Sequence, residues 1–398
     1  MLSDGSASAA RIANISVISA GLLLAACGGG GGVNSGGSTA PPTATPAPTP
    51  APSPTPTSSA DTAEYKASGA VVIAKAAYAY DRGITGKGVT IAVLDTGINR
   101  STPEFAGRIS ADSTGFEQRI ARCGTCAAET LAPYAVDDKQ GHGTTVASVA
   151  LAARNGSGPQ GVAPEATLLA LKIVRPDLSG QTAGSTGPIP ESDSANAMLI
   201  APAIRYAVDK GAFVSVLSLN GLSTGQLAQD QRAAMDQVRL ADRLLVNSVD
   251  NATGQDSFTG QFAENFVGSD RANKDWFLFA IGVDQNGNPR SANGNAGPLA
   301  DRMLAAGGNN VQVVDQDGNV VSVTGNSFAA PAVAGAAALL KQYWPQLGGK
   351  AISCILLDTA TDAGAPGVDA VFGAVSSTSR RRCRRRRRLH RSLPPMRC

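Results

Sequence analysis

The chain runs to 398 residues, 43% of them hydrophobic, 16% charged and only two of them histidine. That length allows one large domain with a substantial core plus appendages, and the two histidines leave little choice of imidazole for any proton chemistry. The formal charge of +3 conceals an asymmetry: from Arg380 onward there are ten arginines and no acidic residue, so the rest of the chain is net acidic and makes a poor nucleic-acid binder by itself.

From the N-terminus, Ile12 to Ala26 is apolar but too short for a comfortable membrane span. It ends in Leu24-Ala25-Ala26-Cys27, which resembles a bacterial lipobox, so residues 1–26 read as a signal peptide and Cys27 as a lipidated first residue. An ordinary signal peptide with a buried cysteine is the alternative. Residues 27–60 are rich in Gly, Pro and Thr and read as a tether without a core, reaching up to about 100 Å in polyproline conformation.

Residues 61–375 alternate apolar strands with alanine-rich helices, the pattern of an α/β domain. The run Val89 to Leu94 ends in Asp95-Thr96-Gly97, which puts Asp95 where a buried parallel strand meets its loop. In the loop beyond, the spacing of Cys123 and Cys126 allows a small disulfide ring; a redox centre is the alternative, and a zinc knuckle would need a second pair that is not nearby. Gly141-His142-Gly143-Thr144 stands directly before Val146 to Ala153, a helix buried on most of its surface. Further strands are predicted at Thr167 to Val174, Phe213 to Leu219, Leu244 to Val249 and Phe277 to Val283, and helices at Asp193 to Lys210, Gln226 to Asp242, Ser327 to Tyr343 and Lys350 to Thr359. Cys354, inside the apolar run Ile352 to Leu357, reads as a core residue. A mostly parallel, doubly wound sheet gathers its ligands at the carboxyl ends of its strands, which is where Asp95 falls.

The small-residue turn Gly325-Asn326-Ser327-Phe328-Ala329-Ala330-Pro331 opens the long apolar helix with a serine. A serine hydroxyl is a weak nucleophile unless a base takes its proton and a carboxylate orients that base. His390 lies in the arginine-rich tail, so His142 is the credible base, and Asp95 is the carboxylate. The chain order Asp95, His142, Ser327 differs from the orders of the chymotrypsin and α/β-hydrolase groups. With the motifs Val93-Leu94-Asp95-Thr96-Gly97-Ile98, Gly141-His142-Gly143-Thr144 and Gly325 to Pro331, the chain resembles the subtilases, the subtilisin-like serine proteases, from about Glu64 to about Ala374.

That resemblance implies a three-layer α/β fold with a mostly parallel central sheet, and an acyl-enzyme route to peptide hydrolysis on Asp95, His142 and Ser327. It also implies that Asn251 serves the oxyanion hole, and that Ser218, Leu219 and Asn220 form the lip of the pocket beside a strand that pairs with extended peptide. Relatives carry small residues and a glycine just before that Asn; here Val249 and Asp250 stand there and would crowd the pocket wall. Asn326 replaces the threonine common beside the nucleophile.

The segment Ala360 to Ala374 resembles the end of the catalytic domain in autotransporter subtilases, after which a closing helix normally follows. Here residues 376–398 turn into low-complexity arginine, which reads as a frameshift product; an authentic polybasic tail is the alternative. The expected protein is an exported, lipid-tethered serine endopeptidase at the outer membrane, the cell surface or the periplasm. Its substrates would be polypeptides, its membrane contact Cys27, and it would need no cofactor or catalytic metal, a structural calcium ion remaining open. A catalytically impaired surface lipoprotein acting in adhesion and a nucleic-acid binder driven by the tail are the competing classes. Nothing in the sequence fixes the oligomeric state.

Overall fold

The run Thr-Ile-Ala-Val-Leu-Asp forms β1 (Thr90–Asp95) in the computed structural model, which describes residues 58–119, 130–174, 193–220, 224–251, 263–268, 271–290, 294, 297–364, 367–369 and 371–374. The expectations for Cys27, for Cys123 and Cys126, for most of the tether and for the arginine-rich tail concern residues outside these.

Among the described residues β1 joins β2 (Thr114–Arg119), β3 (Thr130–Tyr134), β4 (Thr167–Lys172), β5 (Val214–Leu217), β6 (Leu244–Ser248), β7 (Phe277–Val283) and β8 (Met303–Gly307) in one sheet of order β3-β2-β4-β1-β5-β6-β7-β8. Seven strands run parallel; β3, at the edge, is antiparallel to β2. Strands β5, β6 and β7 are buried along their whole length, as a sheet covered on both faces requires.

Alternation along the strands builds two cores. Ile91 and Val93 of β1, Val214 and Val216 of β5, and Leu278 and Ala280 of β7 face one; Ala92, Leu94, Leu217, Phe277, Phe279 and Ile281 face the other. The first core is closed by α4 (His142–Leu151), α7 (Ala329–Tyr343) and α8 (Gly349–Thr359), the second by α5 (Asp193–Asp209) and α6 (Gly225–Leu240). Helix, sheet and helix make the three layers. The alanines of α7 let it settle deep on the sheet, and at Gly335 an added Cβ would stand 2.6 Å from the Val162 Cβ, so this contact admits only glycine without movement.

Three short helices, α1 (Ala63–Ala67), α2 (Ala70–Ile73) and α3 (Ala77–Tyr80), precede β1 and belong to the same core through Tyr65, Val71 and Tyr80. The Glu64 carboxylate accepts the backbone N–H groups of Asn155 and Gly156 at 3.0 and 3.1 Å, tying this segment to the loop after α4. A hairpin of β9 (Val311–Val314) and β10 (Val320–Val323) lies beside α4. One sequence expectation is corrected here: Cys354 is half-buried on α8 and not a core residue. The segment after α8 supplies a short antiparallel pair, β11 (Val368–Asp369) with β12 (Gly373–Ala374).

Candidate active site

Asp95 ends β1 with 1% of its surface exposed, a position that a carboxylate tolerates only with partners. Its Oδ1 accepts the Thr96 backbone N–H at 2.8 Å and faces the His142 Nδ1 at 2.8 Å, while Oδ2 has no partner among the described residues. The imidazole therefore presents its other nitrogen away from the carboxylate, and its side chain keeps 33% exposure. Gly143 permits this approach, because a Cβ there would meet the Gly97 carbonyl oxygen at 2.3 Å.

Sequence reading missed a second buried carboxylate. Asp138 precedes α4, and its Oδ1 accepts from the Thr96 hydroxyl at 2.9 Å and from the N–H groups of Gln140 and Gly141 at 3.0 and 2.8 Å. Its Oδ2 accepts from the Thr144 N–H and hydroxyl at 2.9 and 2.7 Å. The Thr96 hydroxyl in turn accepts the Gly143 N–H at 2.7 Å, so one network joins the Asp95 loop to the start of the histidine helix. Burial opposes the Asp138 charge, yet the donors prevail and hold its carboxyl below the ordinary range. Burial likewise opposes a charge on His142. The charge and hydrogen bond of Asp95, aided by the charge of Asp138, outweigh it and hold the imidazole above its ordinary value.

Ser327 occupies a single 3-10 turn, Asn326–Phe328, ahead of α7, so the helix proper begins two residues later than the sequence suggests. The turn packs against α4, and the rings of Phe328 and His142 have centroids 6.0 Å apart. Ser327 is joined to the end of β5 by a reciprocal pair: the Ser218 hydroxyl donates to the Ser327 carbonyl at 2.7 Å, and the Ser327 hydroxyl donates to the Ser218 carbonyl at 3.4 Å. The second contact is at the limit of a hydrogen bond and holds the hydroxyl loosely. Asp95 and His142 thus meet at the carboxyl end of β1, and the turn that carries Ser327 packs beside the imidazole through Phe328, with the Ser327 hydroxyl turned to the Ser218 carbonyl and not to His142.

Asn251 follows β6 on the same side. Its carbonyl Oδ1 accepts the Asn326 backbone N–H at 2.9 Å and a hydrogen bond from the Arg290 guanidinium. The expected crowding does not occur at Val249, which turns into the second core; at Asp250 the backbone carbonyl accepts from the Asn326 Nδ2 at 2.8 Å. Beyond β5, the Asn247 Nδ2 holds the carbonyls of Leu217 and Leu219 at 2.7 and 3.0 Å, fixing the stretch that carries Ser218, Leu219 and Asn220. Asn220 Oδ1, Asn247 Oδ1 and Ser248 Oγ are buried there with no partner among the described residues. Among the described residues no group of three or more His, Cys, Asp or Glu is placed to hold a metal ion.

Known proteins resemble this chain in sequence and in fold. The sequence pattern of the Subtilase family matches residues 86–375. Subtilisin Savinase of Lederbergia lenta is 31% identical over 287 residues, spanning 72% of this chain and 88% of the relative. The Thermostable alkaline protease of Halalkalibacterium halodurans is 31% identical over 288 residues, 72% of this chain and 66% of that protein. Among solved structures, the MycP3 protease from the type VII (ESX-3) secretion system superimposes with a TM-score of 0.57 at 24% identity, over 76% of this chain and 84% of that one, a likeness of fold.

Proposed function

The chain belongs to the subtilase family of serine peptidases, and on that premise we propose that it is an exported, lipid-tethered endopeptidase working through Asp95, His142 and Ser327. The observation that carries the reading is the 2.8 Å contact of His142 Nδ1 with a buried Asp95, and the packing of Phe328, next to Ser327, against the imidazole supports it. The carboxylate fixes the tautomer that protonates Nδ1 and leaves Nε2 as acceptor.

In this mechanism the Ser327 Oγ attacks the scissile carbonyl carbon while its proton passes to His142 Nε2. The Ser327 hydroxyl is held only loosely by the Ser218 carbonyl, so it can turn to Nε2 when substrate binds, as catalytic hydrogen bonds often form fully only in the complex. The carbonyl π electrons move onto oxygen, and that oxyanion is met by the Ser327 backbone N–H and the Asn251 amide N–H. Collapse expels the amine, which takes the proton from Nε2, and leaves an acyl-enzyme on Ser327. A water then attacks the ester, its proton going to Nε2, and the second collapse returns that proton to Oγ. Asp95 remains ionised throughout and stabilises the imidazolium. The stretch from Ser218 to Asn220 would hold the substrate backbone beside this centre, an arrangement that accepts any extended chain.

Ser327→Ala and His142→Ala should each remove nearly all casein hydrolysis, and the double variant should be little worse, because nucleophile and base act as one unit; in a relative of the same family the loss is on the order of a million-fold. Full hydrolysis by Ser327→Ala would refute the assignment. For the tether, a palmitate analogue should label the wild-type protein in bacterial cells and miss Cys27→Ser, and equal labelling would remove the anchor from the reading.

A further inference from the structure

We infer that Arg290 is a positioning residue for the oxyanion, acting through the Asn251 carboxamide; this rests on the role given to Asn251 above. Arg290 is half-buried in the connection that follows β7, and its Nη1 donates to Asn251 Oδ1. The same oxygen accepts the Asn326 N–H at 2.9 Å. A carboxamide oxygen has two lone pairs, and two N–H donors face this one, so only the oxygen can occupy that end and the NH2 group must face the other way. A lone asparagine on a loop would be free to flip; this one is not.

The frame behind it is rigid. Asn326 is fully buried, donates from Nδ2 to the Asp250 carbonyl at 2.8 Å and accepts the Gly282 N–H on Oδ1 at 2.8 Å. The stretch just after β6, the end of β7 and the nucleophile turn are thereby pinned together, and Arg290 reaches in from beyond β7 to complete the grip on Asn251. A permanent cation on the carbonyl also draws electron density out of the amide and strengthens its N–H groups as donors. Both effects grow with charge on the substrate oxygen, which develops in the transition state and not in the bound peptide. Arg290 should therefore act on kcat and leave KM nearly alone.

The test is a double-mutant cycle on a peptide anilide, with the affinity of a peptide boronic acid measured in parallel. Arg290→Ala should lower kcat roughly 10- to 100-fold, less than the roughly 100- to 1000-fold expected for losing the donor itself in Asn251→Ala, a figure taken from a family relative. KM should change less than about 2-fold, and boronate affinity should fall in step with kcat. In the Asn251→Ala background Arg290→Ala should have almost no further effect on kcat, and Arg290→Lys should restore part of the loss in the parent. If Arg290→Ala fails to fold, the Arg290→Lys arm of the cycle carries the same comparison. An unchanged kcat in Arg290→Ala, or an equal loss in both backgrounds, would overturn the inference while leaving Asn251 in place. An unchanged kcat in Asn251→Ala would instead refute the Asn251 assignment and the inference with it.

Discussion

Asp138→Asn removes one charge and one acceptor from the network that seats α4, the helix that His142 opens. The carboxylate takes five hydrogen bonds, from Thr96, Gln140 and Gly141 on Oδ1 and from the N–H and hydroxyl of Thr144 on Oδ2. The least costly asparagine keeps its oxygen toward the three donors and turns its NH2 group to Thr144. The threonine hydroxyl can rotate to accept, but the backbone N–H cannot. The charge-assisted bond from that N–H is lost and the buried donor is stranded, a single event that costs about 1–3 kcal/mol. For a domain of this size that lowers Tm by about 5 °C. Melts should be run on the Ser327→Ala background, where self-digestion cannot intervene. Because the folded Asp138 carboxyl titrates below its ordinary value of 3.8, its contribution is complete above that value and is lost as pH falls through the depressed one, so the difference from wild type should close in acid. The variant carries a second signature in the active enzyme. The Asp138 charge helps raise His142, and the base works when neutral, so the acid limb of the kcat/KM profile should move to lower pH. An unchanged Tm together with an unmoved limb would refute this account of the network.

Gly335→Ala places a Cβ 2.6 Å from that of Val162 between α7 and the loop after α4; it should cost about 1–3 kcal/mol in a urea melt, and a neutral result would mean this contact is softer than its geometry. Deleting residues 380–398 should leave anilide hydrolysis unchanged or improved, because an arginine run cannot bury enough apolar surface to order itself; loss of folding would show that the tail is an integral part of the domain.

Much of this was legible because buried parallel strands leave continuous apolar runs: β1, β5, β6 and β7 stand where Val89 to Leu94, Phe213 to Leu219, Leu244 to Val249 and Phe277 to Val283 place them. The edge pair was not. Thr114–Arg119 and Thr130–Tyr134 are short and partly polar, and edge strands carry little periodicity to read. The hairpin of β9 and β10 was missed despite a usable signal, since Asp317-Gly318 sits between two valine-rich runs. In the site, Asp95, His142 and Ser327 announce themselves through motifs. Asp138 did not, because Asp137 beside it is chemically identical and only burial tells them apart. Arg290 could not, because its partner lies 39 residues away and no local pattern links them. The departure at Val249 looked obstructive from sequence alone; strand alternation, which sends Val249 into the core, removes that obstruction.

The central claim is that Ser327 is the activated nucleophile, and a peptidyl phosphonate with mass analysis of the adduct tests it most directly. The account predicts one adduct per chain on Ser327, formed in step with loss of anilide hydrolysis, slowed severely in His142→Ala and absent in Ser327→Ala. Labelling at another residue, or loss of activity without a Ser327 adduct, would contradict it.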